Sequence, residues 1–457
     1  MNKLSKEIFK AYDIRGVVGK TLTVESTRLI GQAIGSEARA RKVSRVVIGR
    51  DGRLSGPELS EALSEGLRAA GVDVIDIGRV ATPMLYFATH HLGTQSGVMV
   101  TGSHNPPEYN GLKMVLAGDT LAGDDIQSLY QRIVDGQLES GEGSLETDDI
   151  TEAYFDRITG DIKLDRPISV VVDCGNGVAG AFAPILFRRL GCRVRELFCD
   201  VDGTFPNHHP DPAKPENLKD VAEALSKTDA EIGLAFDGDG DRLGVVTKDG
   251  NIIWPDRQLM LYAADVLERN PKAKVIYDVK STRLLKPWIK ENKGSPVMCR
   301  TGHSFIKAKI KETGALLAGE MSGHVFFKER WYGFDDGMYT GARLLEILAR
   351  VEDPSELLNA LPNAISTPEL NLKTKEGENH NLIEQLQQSA RFENADEVIT
   401  MDGLRVEYAD GFGLMRASNT TPVIVLRFEA DSQTALERIM ADFRREIGKA
   451  TDAKLPF

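Results

Sequence analysis

Cysteine is scarce in this chain: 457 residues include only Cys174, Cys192, Cys199 and Cys299. They form neither a CxxC pair nor a zinc-binding spacing, so buried free thiols in a reducing compartment are expected. Long apolar runs are also missing. No uninterrupted stretch approaches the length of a membrane span, and residues 1–7 lack the apolar centre of a signal peptide. Positive charge is in the minority, with 56 Lys and Arg against 68 Asp and Glu and a formal net charge of -12. That balance argues against a general binder of nucleic acid or of anionic membranes. It leaves room for a small anionic substrate wherever basic residues converge. The expectation is a soluble cytoplasmic protein with neither nucleic acid nor membrane as partner.

The chain is too long for one compact core, and about 150 residues per domain suggests roughly three. Its composition, 41% hydrophobic and 27% charged, is ordinary for a globular protein. Helical spacing runs over 23–40, with Thr23 as N-cap. A strand at 43–48 is followed by the polar turn Gly49-Arg50-Asp51-Gly52-Arg53, a helix closed by Gly71, a strand at 72–77 and a helix at 82–92. The apolar run 97–100 then stops in Thr101-Gly102-Ser103-His104-Asn105-Pro106-Pro107, where the prolines force the backbone out of regular structure. The same order recurs. A strand at 170–173 enters a Gly-rich turn, a helix covers 178–190, a strand covers 193–198, and 232–236 delivers Asp237-Gly238-Asp239-Gly240-Asp241-Arg242. In a third round, strands at 275–280 and 296–299 precede 315–318, which delivers Gly319-Glu320-Met321-Ser322-Gly323-His324. Three copies of one α/β unit, each presenting a polar loop from the end of its third strand, imply mixed sheets covered by helices. Beyond Pro362 the pattern becomes α+β: a helix near 381–390, strands at 398–401, 404–408 and 423–428, and a helix at 433–448. Arg416 to Pro422 lie between its strands.

Alternating aspartates in a loop relaxed by glycine turn Asp237, Asp239 and Asp241 onto one point, which suits a hard cation such as Mg²⁺ or Ca²⁺. A solvated acidic turn is the plainer alternative. An EF-hand fits worse, because Arg242 and Lys248 occupy its required Gly and Glu positions and the flanks read as strands. Arg242 can hold an anion beside the cation. Arg416, Ser418, Asn419 and Thr420 combine a guanidinium, hydroxyls, an amide and turn N–H groups, a mixture that suits a phosphate, though a capped surface turn has similar residues. Glu320 and Ser322 offer the acceptor and donor that a pair of vicinal hydroxyls needs. His303 and His324 are candidates for proton transfer or for structural hydrogen bonds. Ser103 has no base beside it in sequence. A serine, a cation site and a phosphate site together point to phosphoryl transfer through a phosphoserine rather than to a hydrolytic triad.

These motifs, with Ala11-Tyr12-Asp13-Ile14-Arg15-Gly16 near the start, resemble the α-D-phosphohexomutase family along essentially the whole chain, and most closely its bacterial phosphomannomutase/phosphoglucomutase branch. The resemblance implies four domains around a central cleft: three similar α/β mixed-sheet domains (1–149, 150–251 and 252–363) and a C-terminal α+β, TATA-binding-protein-like domain (364–457). It implies phosphorylation of Ser103, with Mg²⁺ held there and by Asp237, Asp239 and Asp241. His104, Lys113, Arg15 and His303 become candidates for proton transfer or charge stabilisation. Tyr12, Arg242, Lys280, His303 and the loop Glu320, Met321, Ser322, Gly323 and His324 would meet the substrate. Glu320 and Ser322 would bind sugar hydroxyls, and Arg416, Ala417, Ser418, Asn419 and Thr420 the phosphate that is not transferred. The implied reaction interconverts the 1- and 6-phosphates of mannose and glucose through a hexose 1,6-bisphosphate, in a monomer that supplies exopolysaccharide and lipopolysaccharide synthesis. Asn419, Thr421 and Met321 resemble the mannose/glucose group more than the alternative, a phosphoglucosamine mutase. A non-catalytic sugar-phosphate sensor and a metal-dependent phosphatase are the rivals from other classes.

Overall fold

The computed structural model describes residues 4–375, 377–419 and 421–457. They build four sheets. The first holds β1 (Ile14–Val17), β2 (Arg45–Arg50), β3 (Asp73–Arg79), β4 (Gly97–Val100), β5 (Tyr109–Leu116), β6 (Asp119–Thr120) and β7 (Leu145–Thr147). The second holds β8 (Ser169–Asp173), β9 (Arg193–Leu197), β10 (Ile232–Phe236), β11 (Leu243–Thr247) and β12 (Ile252–Ile253). In the third are β13 (Lys274–Asp278), β14 (Ser295–Cys299), β15 (Leu317–Gly319) and β16 (Val325–Phe327). The last has β17 (Ile365–Ser366), β18 (Leu370–Lys373), β19 (Glu397–Ile399), β20 (Leu404–Tyr408), β21 (Gly411–Ala417) and β22 (Val423–Ala430).

The repeat read from the sequence is present as topology. The orders β3-β2-β4-β5, β9-β8-β10-β11 and β14-β13-β15-β16 are one arrangement, three parallel strands with an antiparallel fourth. Each predicted loop is therefore the turn of a hairpin between a third strand and a fourth that the sequence reading omitted. These third strands are apolar throughout because helices cover both faces; all five residues of β10 are buried. The first strand of each unit ends on or just before a buried aspartate: Asp51, Asp173 or Asp278. The helix Val24–Ala40 begins at Thr23, whose hydroxyl accepts from the Ser26 N–H in a capping box. The expected helix over 178–190 divides into a 3₁₀ turn, Val178–Ala181, and the helix Ala183–Arg189, which Pro184 opens.

The fourth sheet is entirely antiparallel and carries the helices Glu378–Ser389 and Gln433–Gly448. One continuous apolar core runs from Tyr86 and Phe87 in the first unit through the second and third, whereas the fourth has its own around Phe428 and Phe443. The last unit meets the third through Val279, Phe412 and Leu414. Polar contacts add to this: Arg405 donates to the carbonyls of Val279 (2.7 Å) and Ser281 (2.6 Å), and Thr282 donates to Glu429 (2.7 Å). Among the described residues no helix is long and apolar enough to cross a membrane.

Candidate active site

The four polar loops converge on a cavity of about 690 Å³. Ser103 stands just past β4 with a positive φ of 50°, a strained conformation for a residue with a Cβ, and its side chain is buried. The strain is held in place by Arg53, which the sequence reading passed over as part of a polar turn. Its guanidinium donates to the carbonyls of Ser103 (2.8 Å), Asn105 (2.6 Å), Pro106 (2.6 Å) and Tyr109 (2.9 Å). Asp51 completes the support by accepting from the Thr101 hydroxyl at 2.8 Å, the Gly102 N–H at 3.2 Å and Arg53 itself. A methyl group on Gly102 would press on the Arg53 guanidinium, so an alanine here requires that head group to move.

The Ser103 hydroxyl points across the unit boundary and donates to Asp237 at 3.3 Å, with His104 Nδ1 at 3.1 Å. Asp237, Asp239 and Asp241 are wholly buried in the β10–β11 hairpin, and one oxygen from each lies within 4.8 Å of the others. Asp239 accepts from Thr82 (2.6 Å), Thr101 (3.0 Å) and Lys113 (2.8 Å), and Lys113 also reaches Asp241 at 2.5 Å. Among the described residues the buried Asp239 Oδ1 has no hydrogen-bond donor, and the buried Asp241 Oδ1 faces only His324 Nε2, at 3.4 Å. Burial raises the Asp237 carboxyl well above its ordinary range, with Asp241 and Asp239 adding to the shift. An Asp239 oxygen without a donor, an Asp241 oxygen met only by His324 and a third carboxylate whose charge burial disfavours form the donor set of a hard cation, so the cluster fits a bound metal.

The β15–β16 hairpin joins this loop directly. His324 and Arg242 form a β-bridge, and the Leu243 N–H donates to the Gly323 carbonyl at 3.3 Å. His324 lies 3.4 Å from Asp241 and 3.2 Å from Glu320, with Ser322 at 2.9 Å. Burial, with Arg242, opposes its charge, yet Asp241 and Glu320 together outweigh that and lift the imidazole to about 9. Glu320 accepts from the Gly302 N–H at 2.5 Å, and the Met321 N–H donates to Asp278 at 3.2 Å.

His303 opens the helix His303–Thr313 and is the opposite case. Burial, with Lys307 and Lys113 adding, holds it well below the ordinary imidazole range. Among the described residues neither ring nitrogen has a hydrogen-bond partner, and the ring packs edge-on to Tyr12 at 5.4 Å. A neutral imidazole with both nitrogens uncommitted can accept one proton and donate another. His104 is likewise held low by burial, with Arg242 and Arg15 adding. Arg15 pairs with Asp13.

On the far wall, Arg416 is next to last in β21 and is fixed by Asp402 at 2.9 Å, which also accepts from the Thr301 N–H at 3.0 Å. Ser418 lies 3.0 Å from the Thr421 hydroxyl, and Lys280 donates to Glu369 at 3.0 Å. Tyr12, Arg15, Ser103, His104, Lys113, Arg242, Lys280, His303, Glu320, Met321, Ser322, His324, Arg416, Ser418 and Asn419 all line the cavity. Two expected contacts do not. Gly323 packs against Arg242, and Ala417 belongs to the core of the last unit. Thr420 lies outside the described residues. Residues the sequence reading did not single out complete the lining, among them Asp211, Lys214, Trp254, Glu369, Asn371 and Arg427.

Models of the phosphoglucomutase/phosphomannomutase family match the chain in all four parts. Its α/β/α domains I, II and III match residues 6–139, 152–250 and 254–365, and its C-terminal domain matches 369–446. A phosphoglucomutase of Neisseria gonorrhoeae is 63% identical over 450 residues, 98% of each chain. A phosphomannomutase/phosphoglucomutase of Pseudomonas aeruginosa is 58% identical over 454 residues, covering 99% of this chain and 98% of that one. The crystal structure of a phosphoglucomutase/phosphomannomutase family protein from Burkholderia thailandensis superposes with a TM-score of 0.95 at 64% identity, covering 100% of both chains. The chain belongs to the phosphoglucomutase/phosphomannomutase family and is an enzyme of that mutase class.

Proposed function

We propose that the protein reversibly moves a phosphoryl group between the 1- and 6-positions of mannose and glucose phosphates. Ser103 carries the group, and a hexose 1,6-bisphosphate is the intermediate. The observation that supports this most is the shared cavity, with Ser103 over the aspartate cluster on one wall and Arg416 with Lys280 on the other. Mg²⁺ would be held by Asp237, Asp239, Asp241 and an oxygen on Ser103. When bound it supplies charge neutralisation for the transferring group.

The chain's own residues do the rest. Arg416, Ser418 and Asn419 (with Thr420) hold the phosphate that stays on the sugar, through a guanidinium fork and hydroxyl or amide donors. Glu320 and Ser322 receive sugar hydroxyls. His303, neutral at physiological pH, takes the proton from the attacking hydroxyl at a free ring nitrogen. Lys113 and Arg242 balance charge beside the serine. After the first transfer the bisphosphate turns end for end and its other phosphate returns to Ser103. A cavity that reads hydroxyls and one phosphate accepts both orientations.

The test mixes the protein with Mg²⁺, a trace of glucose 1,6-bisphosphate, and mannose 1-phosphate, glucose 1-phosphate or glucosamine 1-phosphate in turn. Mannose 6-phosphate and glucose 6-phosphate are the expected products. Inorganic phosphate in their place would identify a phosphatase, and a preference for the amino sugar would identify a phosphoglucosamine mutase. Intact mass should register one phosphate on the protein that Ser103→Ala lacks.

A further inference from the structure

Two of the four cysteines face each other. Cys174 follows β8 and Cys199 follows β9, neighbouring parallel strands in which Asp173 is opposite Leu197. Phe198, at a φ of 50°, bends the chain so that Cys199 turns back toward its neighbour, and the two sulfurs are 3.6 Å apart. A disulfide needs about 2.05 Å, so side-chain rotation and a small shift of one loop would close the gap. Cys174 is fully buried, whereas Cys199 is partly exposed beside β9, the edge strand of its sheet. Cys192 stands at the other end of β9 and Cys299 in the third unit.

The surroundings connect this pair to the reacting serine. From Cys174 the chain passes through Asn176, whose N–H donates to the Phe198 carbonyl at 2.7 Å, to Val178, whose N–H donates to Gly238 in the aspartate loop at 3.1 Å. From Cys199 it runs to Gly203, where an added Cβ would meet the Gly52 carbonyl at 2.7 Å, and to Phe205, whose ring lies 5.2 Å from the Arg53 guanidinium. Arg53 is the group that holds four carbonyls around Ser103.

We propose that Cys174 and Cys199 form a reversible disulfide that slows the enzyme by pulling residues 199–205 away from the seat of Arg53. A peroxide is the oxidant. The partly exposed Cys199 sulfur attacks the O–O bond, giving a sulfenic acid and one hydroxide that leaves as water with the thiol proton. The Cys174 sulfur then displaces the second oxygen as water, and the S–S bond forms. The two sulfurs give up two electrons and the peroxide accepts them. A dithiol reverses the reaction by exchange.

In the test, the full chain is treated with hydrogen peroxide, alkylated under denaturing conditions and digested. A peptide linking Cys174 to Cys199, two hydrogens lighter than its reduced halves and lost with dithiothreitol, is expected, with Cys192 and Cys299 alkylated. Alkylation of both thiols after peroxide, or a sulfinic acid at Cys199 without a cross-link, would overturn the pairing. Hydrogen–deuterium exchange of the oxidised protein should rise over residues 101–105, and turnover should fall several-fold and recover with dithiothreitol. Cys199→Ser should keep its turnover in peroxide. If that variant does not fold, the wild-type exchange measurement still decides the matter. A cross-link that leaves both exchange and turnover unchanged would overturn the coupling. The turnover arm rests on the mutase reading; a reduced protein without mutase turnover would refute that reading, while mass and exchange would still decide this one.

Discussion

Arg53 was legible in the sequence only as one charge in a polar turn, because nothing local distinguishes a solvated arginine from one buried by a distant loop. The fold places it beneath the serine loop, where one planar fork serves four carbonyls, of which Pro106 also accepts from the Tyr109 N–H. Arg53→Ala should cost on the order of 3 kcal/mol in unfolding free energy, since several buried charged hydrogen bonds are lost together. Turnover should fall more than substrate affinity, because the residue sets the position of Ser103 and touches no substrate. Arg53→Lys should recover little of either, as an ammonium cannot span the four acceptors. Denaturant melts with separate kcat and KM values decide this. His303 makes a second prediction at this scale. The folded protein holds its imidazole low, so the unfolded chain binds a proton that the folded one refuses. Stability from this group is therefore present above an ordinary histidine pKa of about 6.5 and is lost as pH falls below it, by about 1.4 kcal/mol per pH unit. His303→Gln removes that slope. The gap between wild type and variant in urea unfolding should narrow between about pH 7 and about pH 5.5; a constant gap would contradict the neutral assignment.

At the scale of elements, the apolar strands that deliver each loop were readable because they are short, wholly buried and end in turn residues. Their antiparallel partners were not. β11 and β16 begin within a residue or two of the functional loops, so strand and loop merge in the sequence. β21 opens on Gly-Phe-Gly, which reads as a turn, yet Gly413 is small because the Phe443 ring of the helix Gln433–Gly448 fills the space where a side chain would stand. Tertiary packing thus chose a glycine that local preference assigns to a loop. The converse holds at Gly240, where the glycine is needed for conformation. Its φ of 77° turns the chain between Asp239 and Asp241, and the methyl groups of Ala81 and Ala179 stand 3.3 Å from where a Cβ would be. Gly240→Ala should destabilise the fold by about 1 kcal/mol or more and splay the carboxylates. A Mg²⁺ titration of activity should then need a higher concentration for half saturation, with activity partly restored at excess Mg²⁺. Unchanged Mg²⁺ dependence would separate the bend from the cation site.

Across the whole molecule, a chain with a net charge of -12 keeps a cavity lined by Arg15, Lys113, Arg242, Lys280, Arg416 and Arg427. Those residues come from all four units, which is why no local stretch of sequence reveals a basic site. The acidic exterior and basic cleft together focus an anionic substrate inward. Carboxylates line the cavity too, and one of them is paired with a basic residue that a phosphate would use. Glu369, in the last unit, faces Lys280, in the third, at 3.0 Å across the cavity wall, and Lys280 holds its carboxyl below the ordinary range. An entering phosphate must share Lys280 with that carboxylate and approach a like charge. The pair is also one of several polar ties between the two units, but it is the most dispensable of them. Arg427 bonds to the Lys280 carbonyl and to Asp256 (3.1 Å), and Arg405 and Glu429 hold neighbouring atoms, so removing a single charge leaves the seat intact. Glu369→Gln should therefore leave the melting temperature close to wild type while lowering KM for hexose phosphates about fivefold, the equivalent of about 1 kcal/mol of like-charge repulsion at a partly solvated site. The gain should shrink as ionic strength rises, because the repulsion it relieves is screened. A KM that rises instead would mean that Glu369 aims Lys280 at the substrate rather than competing for it, and the salt dependence of the two proteins would then run parallel.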